Sequence, residues 1–322
     1  MVATLLGAVP DVARAQPPAR GSVTTDSLRS NALGAWKKFV VWTPPGYDAR
    51  DTTRRYPVVY ALHGAWGRET DWVALGGLDR TLDSLAAAGM RAPIVVMPDG
   101  DDGWWTTWAQ LVDVAGCRRT PRDENADTYC VPWGKYDDYV ARDLVARVDS
   151  TWRTDARREG RAVMGLSMGG YGAITIALRY PEVFAAAASH SGVLAPALPA
   201  DGVPWGGRRR VRALEAHYTR VWASLEAAFG ADSVSWTARD PARLLDRARA
   251  RGAPLPALWA DVGNEDRYAP QTRAFRTACA ARGVPLAGDD LPGTHAWSWW
   301  RAAAARSLPW LVARLAPPPA AR

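Results

Sequence analysis

The sequence predicts an α/β protein with a mainly parallel sheet and helices on both faces, and three observations lead to this prediction. Short apolar runs of strand length recur along the chain and contain few polar residues, as do parallel strands that are buried on both faces. Segments with apolar residues at helical spacing alternate with these runs, which is the order of strand–helix–strand units. The 322 residues are 48% hydrophobic and 23% charged, so the chain can bury a sizeable core.

Each predicted element is bounded by local signals in the sequence. The predicted strands are 36–43, 56–62, 93–97, 162–166, 184–189 and 258–262. The predicted helices are 75–88, 137–152, 168–179, 272–282 and 299–315, with further helical patches at 211–228 and 241–250. Glycine and proline close the strands, as in Pro44-Pro45-Gly46 and Pro98-Asp99-Gly100. The helix at 137–152 is amphipathic, because its apolar residues recur at three- and four-residue spacing.

A nucleophile motif follows the strand at 162–166. Gly165-Leu166-Ser167-Met168-Gly169 matches G-x-S-x-G, with a short apolar strand before it and a helix directly after it. This strand–turn–helix setting is the one that the nucleophile elbow of an α/β-hydrolase requires. The tight turn strains the backbone of the serine and leaves room only for glycine two residues to either side. The sequence therefore predicts an α/β-hydrolase fold with Ser167 as the catalytic nucleophile.

A serine hydroxyl needs a base, and histidine is the usual one because its pKa lies near neutrality. In this fold the triad follows the order serine, acid, histidine, so His63 cannot be the base. His295 lies in a loop before the last predicted helix, where it can reach the carboxyl end of the sheet, and we predict that it is the base. His190, at the end of a strand, either lines the site or packs beside it. His217 lies in an arginine-rich helical stretch that is typical of a surface.

The acid is expected between the serine and the histidine, at the end of the strand at 258–262. Three carboxylates are available there, Asp261, Glu265 and Asp266. Asp261 lies inside the strand, where a structural hydrogen bond is its ordinary role. Asp266 follows the turn at Gly263 and can face the base, so we predict that it holds the imidazole tautomer and stabilises the imidazolium. Asp261 and Glu265 stay open as alternatives.

Two backbone N–H groups are expected to form an oxyanion hole. One belongs to Met168, the residue after the nucleophile, and the other to the loop that follows an earlier strand. His63-Gly64-Ala65 ends the strand at 56–62, and Gly64 lets the backbone turn inward. We therefore predict that Ala65 supplies the second donor, with an ordinary glycine turn as the alternative.

The positions of the tryptophans suggest a substrate with a flat face. Trp66 follows the oxyanion loop, Trp104 and Trp105 lie after the carboxyl end of a strand, and Trp297 follows the base. Sites on parallel sheets lie at this edge, so we predict that these rings and His190 contact the substrate. A sugar ester or an aromatic acyl ester fits such rings best. Packing in the core is the alternative.

The chain divides into four parts. These are a leader or linker at 1–21, an α/β-hydrolase domain at 22–316, an inserted segment within it at about 193–254, and a disordered tail at 317–322. Residues 2–9 form a short apolar run, and Ala13-Arg14-Ala15 resembles a signal-peptide cleavage site. We therefore expect a secreted or periplasmic protein, although the leader lacks a basic start and a cytoplasmic location stays open. No apolar stretch of about 20 residues occurs, so no transmembrane segment is predicted.

Cysteines and charge limit the possible partners. Cys117 and Cys130 flank a polar loop, and in an exported protein we predict a disulfide between them, with two unrelated thiols as the alternative. Cys279 is expected on the buried face of a helix. The net charge is +7, and an arginine cluster lies at 208–212, but no nucleic-acid motif accompanies it, so no nucleic-acid partner is predicted. No group of cysteines and histidines has zinc-binding spacing.

With these residues placed, the chain resembles the esterase D family of α/β-hydrolases, which includes feruloyl and acetyl-xylan esterases, S-formylglutathione hydrolases and mycolyltransferases. The resemblance covers about residues 30–315. It rests on PPGY at 44–47, PVVYALHG at 57–64, MPDG at 97–100, GLSMGGYGA at 165–173, YPEVF at 180–184 and PGTHAWSWW at 292–300. It implies a hydrolase without metal or cofactor. Its site residues carry over to Ser167, Asp266 and His295, and its oxyanion donors to the backbones of Ala65 and Met168.

The predicted function is ester hydrolysis through an acyl-enzyme on Ser167, with a small-molecule or carbohydrate ester as substrate. Acyl transfer to a sugar hydroxyl, as in mycolyltransferases, uses the same triad and stays open. Thioesterase or peptidase activity on the same fold is a further alternative. A catalytically silent binding module is least expected, because such proteins normally lose a triad residue and all three candidates are present here.

Overall fold

The protein folds around one twisted sheet in a computed structural model that describes residues 19–119, 126–196, 225, 227–230 and 232–317. The described strands are β1 (Ser22–Ser30), β2 (Ala35–Thr43), β3 (Val58–Leu62), β4 (Ile94–Pro98), β5 (Arg161–Leu166), β6 (Ala186–His190), β7 (Ala257–Gly263), β8 (Leu286–Ala287) and β9 (Asp290–Leu291). Their order is β1-β2-β4-β3-β5-β6-β7-β8, and β9 pairs with β7. The β1–β2 and β2–β4 pairs are antiparallel, and the other pairs are parallel. The predicted mainly parallel sheet is therefore confirmed.

Helices cover both faces of this sheet, as predicted. The described α-helices are α1 (Asp71–Ala74), α2 (Leu78–Ala87), α3 (Val114–Arg119), α4 (Ala126–Tyr129), α5 (Tyr136–Asp138), α6 (Val145–Thr151), α7 (Met168–Arg179), α8 (Ser233–Ala238), α9 (Pro241–Ala250), α10 (Ala269–Ala280) and α11 (Trp297–Arg314). Residues from α2 and α11 share one buried cluster with one face of the sheet. Residues from α6, α7, α9 and α10 share a second cluster with the other face.

The structure differs from the sequence prediction in several elements, and three of the differences have a local reason. The short elements α1, α3, α4, α8, β8 and β9 were not predicted. The helix predicted at 75–88 begins only at Leu78, as α2, because Gly76 and Gly77 interrupt the helical pattern and Gly77 takes a left-handed conformation with φ of 60°. The helix predicted at 137–152 contains a π-helical stretch, Tyr139–Leu144, between α5 and α6. The edge strand β1 was not predicted, because its largely polar, exposed residues carry no apolar signal.

Several predicted segments lie wholly or partly outside the described residues. These are most of the leader at 1–21, much of the insert at 193–254 with its helical patch at 211–228, and nearly all of the tail at 317–322. Among the helices that are described, none is both long enough and apolar enough to cross a membrane.

Backbone strain in the described residues is concentrated at the carboxyl edge of the parallel strands. Every described non-glycine residue with positive φ follows the end of β3, β4, β5 or β6: Trp66, Asp101, Trp104, Trp105, Ser167 and Ser191. Such conformations cost on the order of 1–3 kcal/mol each and persist only where the surroundings enforce them. Because strain of this kind clusters at functional sites, this edge is where a site is expected.

Candidate active site

Ser167 occupies the turn between β5 and α7 with φ of 54° and ψ of −118°. The glycines on either side are required by contact distances. A Cβ atom on Gly165 would lie 2.2 Å from the carbonyl oxygen of Gly169, and one on Gly169 would lie 2.3 Å from the carbonyl oxygen of Leu62. The Ser167 N–H donates to the carbonyl oxygen of His190, at 2.9 Å, so the neighbouring strand β6 supports the turn. The expected nucleophile-elbow geometry is therefore present.

The structure brings Ser167, His295 and Asp266 into one hydrogen-bonded chain. The His295 Nε2 atom lies 3.0 Å from Ser167 Oγ, and its Nδ1 atom lies 2.8 Å from Asp266 Oδ2. The other carboxylate oxygen of Asp266 accepts the backbone N–H of Tyr268, at 2.8 Å. A carboxylate accepts only, so Nδ1–H donates to it and Nε2 is left to accept the serine proton. This arrangement suits a base that is oriented by an acid.

The environment of Asp266 favours its ionised form. Burial raises the pKa of this carboxyl, but the hydrogen bond and charge of His295, the Tyr268 N–H and the Ser191 hydroxyl together lower it below its ordinary value. The side chain of Asp266 is fully buried, whereas that of His295 is 17% exposed. The imidazole is therefore open on one side while its acid is shielded from water.

The alternative acids take other positions. Asp261 is buried and its Oδ1 atom lies 2.6 Å from Nδ1 of His190, whose Nε2 atom lies 3.0 Å from Ser307 Oγ. This second serine–histidine–aspartate chain is closed to substrate, because its members are at most 1% exposed. Glu265 is exposed to solvent. The contact with substrate that was predicted for His190 is thus wrong in this structure, since both of its ring nitrogens are used in the core.

The loop after β3 lies against the nucleophile, as the oxyanion prediction requires. A Cβ atom on Gly64 would lie 3.4 Å from Cβ of Ser167, an ordinary contact distance, and 2.7 Å from Cδ1 of Leu166, which would have to move. The loop is held by His63, whose Nε2 atom accepts the Gly100 N–H at 2.9 Å. Ala65 follows in a turn and is half-buried, and Met168 is the first residue of α7, where backbone N–H groups lack helical partners.

Two of the four tryptophans predicted to meet the substrate, Trp104 and Trp105, are buried in the protein instead. Trp105 is fully buried and donates its indole N–H to the carbonyl oxygen of His63, at 3.1 Å. Trp104 is 6% exposed and packs against Tyr171 and Phe229. Trp297 is partly buried and packs edge-on against Trp72 and Trp300, with ring centroids 5.6 and 5.4 Å away. Large apolar rings gain more from these contacts than from water, and Trp66, at 49% exposure, is the most exposed of the four.

Two residues near the site were not predicted from the sequence. Ser191 has φ of 52°, accepts the indole N–H of Trp300 at 3.1 Å and contributes to lowering the pKa of Asp266. Asp102 is buried and accepts the backbone N–H of Trp66 at 2.6 Å. Both follow the carboxyl end of a strand, and this position, combined with a polar side chain, is the signal that was present in the sequence.

Comparison with known proteins places these features in a family. A family model described as "Putative esterase" matches residues 30–311. Esterase Rv1288 of Mycobacterium tuberculosis is 32% identical over 271 residues, which are 77% of this chain and 50% of that protein. The chain thus spans about half the length of this relative. An acetyl esterase of Caldicellulosiruptor saccharolyticus is 22% identical over 254 residues, which are 79% of this chain and 82% of that protein.

Solved structures show the same fold. FphF, a fluorophosphonate-binding serine hydrolase of Staphylococcus aureus, has a TM-score of 0.70 at 23% identity, covering 91% of this chain and 99% of that one. A ferulic acid esterase of Anaeromyces mucronatus, solved with ferulic acid, has a TM-score of 0.64 at 16% identity, covering 96% of this chain and 97% of that one. These likenesses confirm the α/β-hydrolase fold predicted from the nucleophile motif.

Proposed function

The chain belongs to this esterase family, and we propose that it is a serine esterase that hydrolyses a carboxylic ester through an acyl-enzyme on Ser167. The observation that carries the proposal is the hydrogen-bonded chain from Ser167 Oγ through His295 to the buried Asp266. It lies at the carboxyl edge of the sheet, and the serine is partly accessible there.

In the first half-reaction Ser167 Oγ attacks the carbonyl carbon of the ester while His295 Nε2 takes the hydroxyl proton. Asp266 keeps Nδ1 protonated and stabilises the imidazolium that forms. The imidazolium then gives its proton to the alcohol oxygen, and the C–O bond breaks to leave an acyl-enzyme. In the second half-reaction water attacks the acyl carbon while His295 Nε2 takes a proton from the water. The imidazolium then returns this proton to Ser167 Oγ as the bond from the acyl carbon to Oγ breaks, and the carboxylic acid leaves.

Negative charge develops on the carbonyl oxygen in both half-reactions. We assign its stabilisation to the backbone N–H groups of Ala65 and Met168, which belong to the two segments that meet at Ser167. The positive end of the α7 dipole adds to this stabilisation, because Met168 begins that helix. Preorganised donors of this kind contribute roughly 3–4 kcal/mol each to transition-state stability.

The first test is the Ser167→Ala variant with para-nitrophenyl acetate as substrate. Because triad residues act as a unit, we expect kcat/KM to fall on the order of 10⁴–10⁶-fold while the melting temperature stays unchanged. A fluorophosphonate probe should label the wild-type protein and not the variant. Retention of more than a tenth of the activity by purified, folded variant would contradict the assignment of the nucleophile.

For the substrate we propose an ester with a flat or sugar-like group, bound against Trp66. Acetyl and ferulic acid esterases are among the similar proteins, and the exposed indole of Trp66 lies on the turn beside the nucleophile. The variant Trp66→Ala should raise KM for a feruloyl ester or an acetylated sugar more than for para-nitrophenyl acetate. Equal effects on all three substrates would remove Trp66 from the substrate site.

We also propose that the protein acts outside the cytoplasm. Cys117 and Cys130 form a disulfide, as predicted, and disulfides persist mainly in oxidising compartments. The apolar run and small-residue motif at the start of the sequence support the same location. Fractionation of cells that produce the full chain, followed by immunoblotting, tests this: the protein should appear in the periplasm or medium, and retention in the cytoplasm would contradict it.

A further inference from the structure

The turn beside the nucleophile has an unusual residue at its strained position. The Gly67 N–H donates to the Gly64 carbonyl oxygen at 3.1 Å, which makes Ala65 and Trp66 the two central residues. Trp66, the second of them, has φ of 60°. A turn with positive φ at this position is of type II, where glycine is the usual residue because it has no Cβ. The turn therefore holds a bulky aromatic residue in a backbone conformation that is strained for any residue with a Cβ atom.

One contact opposes the relaxation of this turn. The backbone N–H of Trp66 donates to Oδ1 of Asp102 at 2.6 Å, and Asp102 is 6% exposed. A type II turn relaxes by rotation of its central peptide, which here joins Ala65 to Trp66 and carries this N–H. That rotation would turn the Ala65 carbonyl oxygen toward the carboxylate and separate the hydrogen-bonded pair. Loss of a charge-assisted hydrogen bond in a shielded place makes the rotation unfavourable.

The loop that carries Asp102 is itself fixed from within the core. The neighbouring carboxylate, Asp101, accepts from the buried Nζ atom of Lys37 at 2.5 Å and from the hydroxyl of Tyr136 at 2.6 Å. Lys37 also pairs with Asp99 at 3.2 Å. Asp101 has φ of 48°, so these contacts hold the loop in a strained form as well. Asp102 consequently presents its carboxylate from a rigid support.

We propose that Asp102 is a positioning residue that locks the Ala65–Trp66 peptide in its strained orientation, and that this lock sets both the Ala65 N–H and the Trp66 indole at the site. The inference rests on the proposed function, since it assigns those two groups to the oxyanion and to the substrate. Asp102 acts through the turn and does not touch the reacting atoms.

If Asp102 positions this peptide, changing Asp102 should affect kcat and KM differently for different substrates. The Asp102→Ala variant should lower kcat for para-nitrophenyl acetate about tenfold, because the oxyanion donor moves, and should raise KM selectively for a feruloyl ester, because the indole moves. The matched control is Asp102→Asn, whose amide oxygen still accepts the Trp66 N–H, and it should stay within threefold of wild type. If both variants lose the same activity, acceptance of this hydrogen bond is not the role of Asp102.

Changes at position 66 separate the lock from a merely structural role. Glycine adopts φ of 60° without strain, so in a Trp66→Gly background the Asp102→Ala change should cost less than threefold in kcat. Alanine keeps the Cβ and the strain, so in a Trp66→Ala background the cost should stay near tenfold. Each cost is the ratio of kcat with and without Asp102→Ala in the same background. A contribution of Asp102 to folding alone would lower the melting temperature and give equal ratios in all three backgrounds.

Two results would overturn the inference while the proposed function stands. One is an equal Asp102→Ala ratio in the Trp66→Gly and Trp66→Ala backgrounds, and the other is a Trp66→Gly variant without turnover, since glycine fits this turn. In both cases the wild type still hydrolyses the ester and is labelled by the fluorophosphonate. If the wild type itself does neither, it is the proposed function that fails.

Discussion

Ser167, His295 and Asp266 make different contacts, so their removal should have different costs. If the proposed mechanism holds, His295→Ala removes the base, and kcat/KM should fall on the order of 10⁴–10⁶-fold. In Asp266→Asn the amide cannot hold the charged imidazole, and a loss of about 10⁴-fold is expected. Steady-state kinetics with para-nitrophenyl acetate measure both. The control is Glu265→Gln, a change at the exposed neighbouring residue, whose kcat/KM should stay within twofold of wild type. A larger loss would mean that Glu265, and not Asp266 alone, has to be considered as the acid.

Cys279 gives a prediction about thiol reactivity. It is fully buried, and burial raises the pKa of its thiol to about 11. At pH 8 the thiol therefore stays protonated and shielded, and an aromatic disulfide reagent should detect no thiol in the folded protein. In denaturant without reductant it should detect one thiol, because Cys117 and Cys130 are bonded. Rapid reaction in the folded state would contradict the burial, and three thiols after unfolding would contradict the disulfide.

At the scale of elements, the elbow depends on how closely α7 approaches β3. A Cβ atom on Gly169 would lie 2.3 Å from the Leu62 carbonyl oxygen and 2.5 Å from that of His63, and backbone atoms cannot rotate away as side chains can. We expect Gly169→Ala to lower the free energy of unfolding by about 1–3 kcal/mol, as overpacked cores do. It should also reduce kcat, because the helix carries Met168 and the strand leads to Ala65.

Denaturant unfolding and steady-state kinetics of Gly169→Ala test this prediction. Ser167→Ala serves as the stability control, since it changes a residue in the same elbow turn but removes an atom and so cannot overpack it. Wild-type stability together with wild-type kcat in Gly169→Ala would mean that α7 and β3 are not as close as these distances state.

The elements differ in how well the sequence predicts them, and the reason lies in the local signals that each one carries. α7 was predicted with its observed bounds, because the elbow fixes its start and because Pro181, two residues after its end, cannot continue a helix. β1 was not predicted, because an edge strand can form by backbone hydrogen bonds alone, here with β2. It therefore needs no alternating apolar pattern in its sequence. The helix predicted from residue 75 begins at Leu78, which shows that a glycine pair can delay the start of a helix that the apolar pattern places earlier.

At the scale of the whole molecule, α11 connects His295, the proposed base, to the opposite end of the sheet. His295 lies two residues before the start of this helix, and Arg91 contacts the far end of the helix. The guanidinium of Arg91 donates to the carbonyl oxygens of Val312, Leu315 and Ala316, at 3.0, 2.5 and 2.9 Å. Val312 lies in the last turn of the helix, where its oxygen also accepts the Leu315 N–H, and Leu315 and Ala316 follow the last helical residue. The cation therefore holds the chain where the helix ends and interacts favourably with the negative end of the helix dipole.

We expect Arg91→Ala to lower the free energy of unfolding by about 2 kcal/mol, because it removes charge-assisted hydrogen bonds. The esterase activity at 25 °C should be kept, since Arg91 lies at the opposite end of α11 from His295. Arg91→Lys retains the charge but not the forked geometry and should recover part of the loss. Chemical denaturation measures the change; equal stability of wild type and Arg91→Ala would show that this helix end needs no cap.

The sequence by itself determined the order of strands and helices, the elbow at Ser167 and the candidates His295 and Asp266. Each of these has a local cause, such as a run of apolar residues, a glycine spacing or a position after a strand. The tertiary structure decided which tryptophans are exposed, that Asp261 pairs with His190 and that Asp102 accepts the backbone N–H of Trp66. These outcomes depend on contacts between residues 36 to 71 positions apart, where burial and hydrogen bonding outweigh any local pattern.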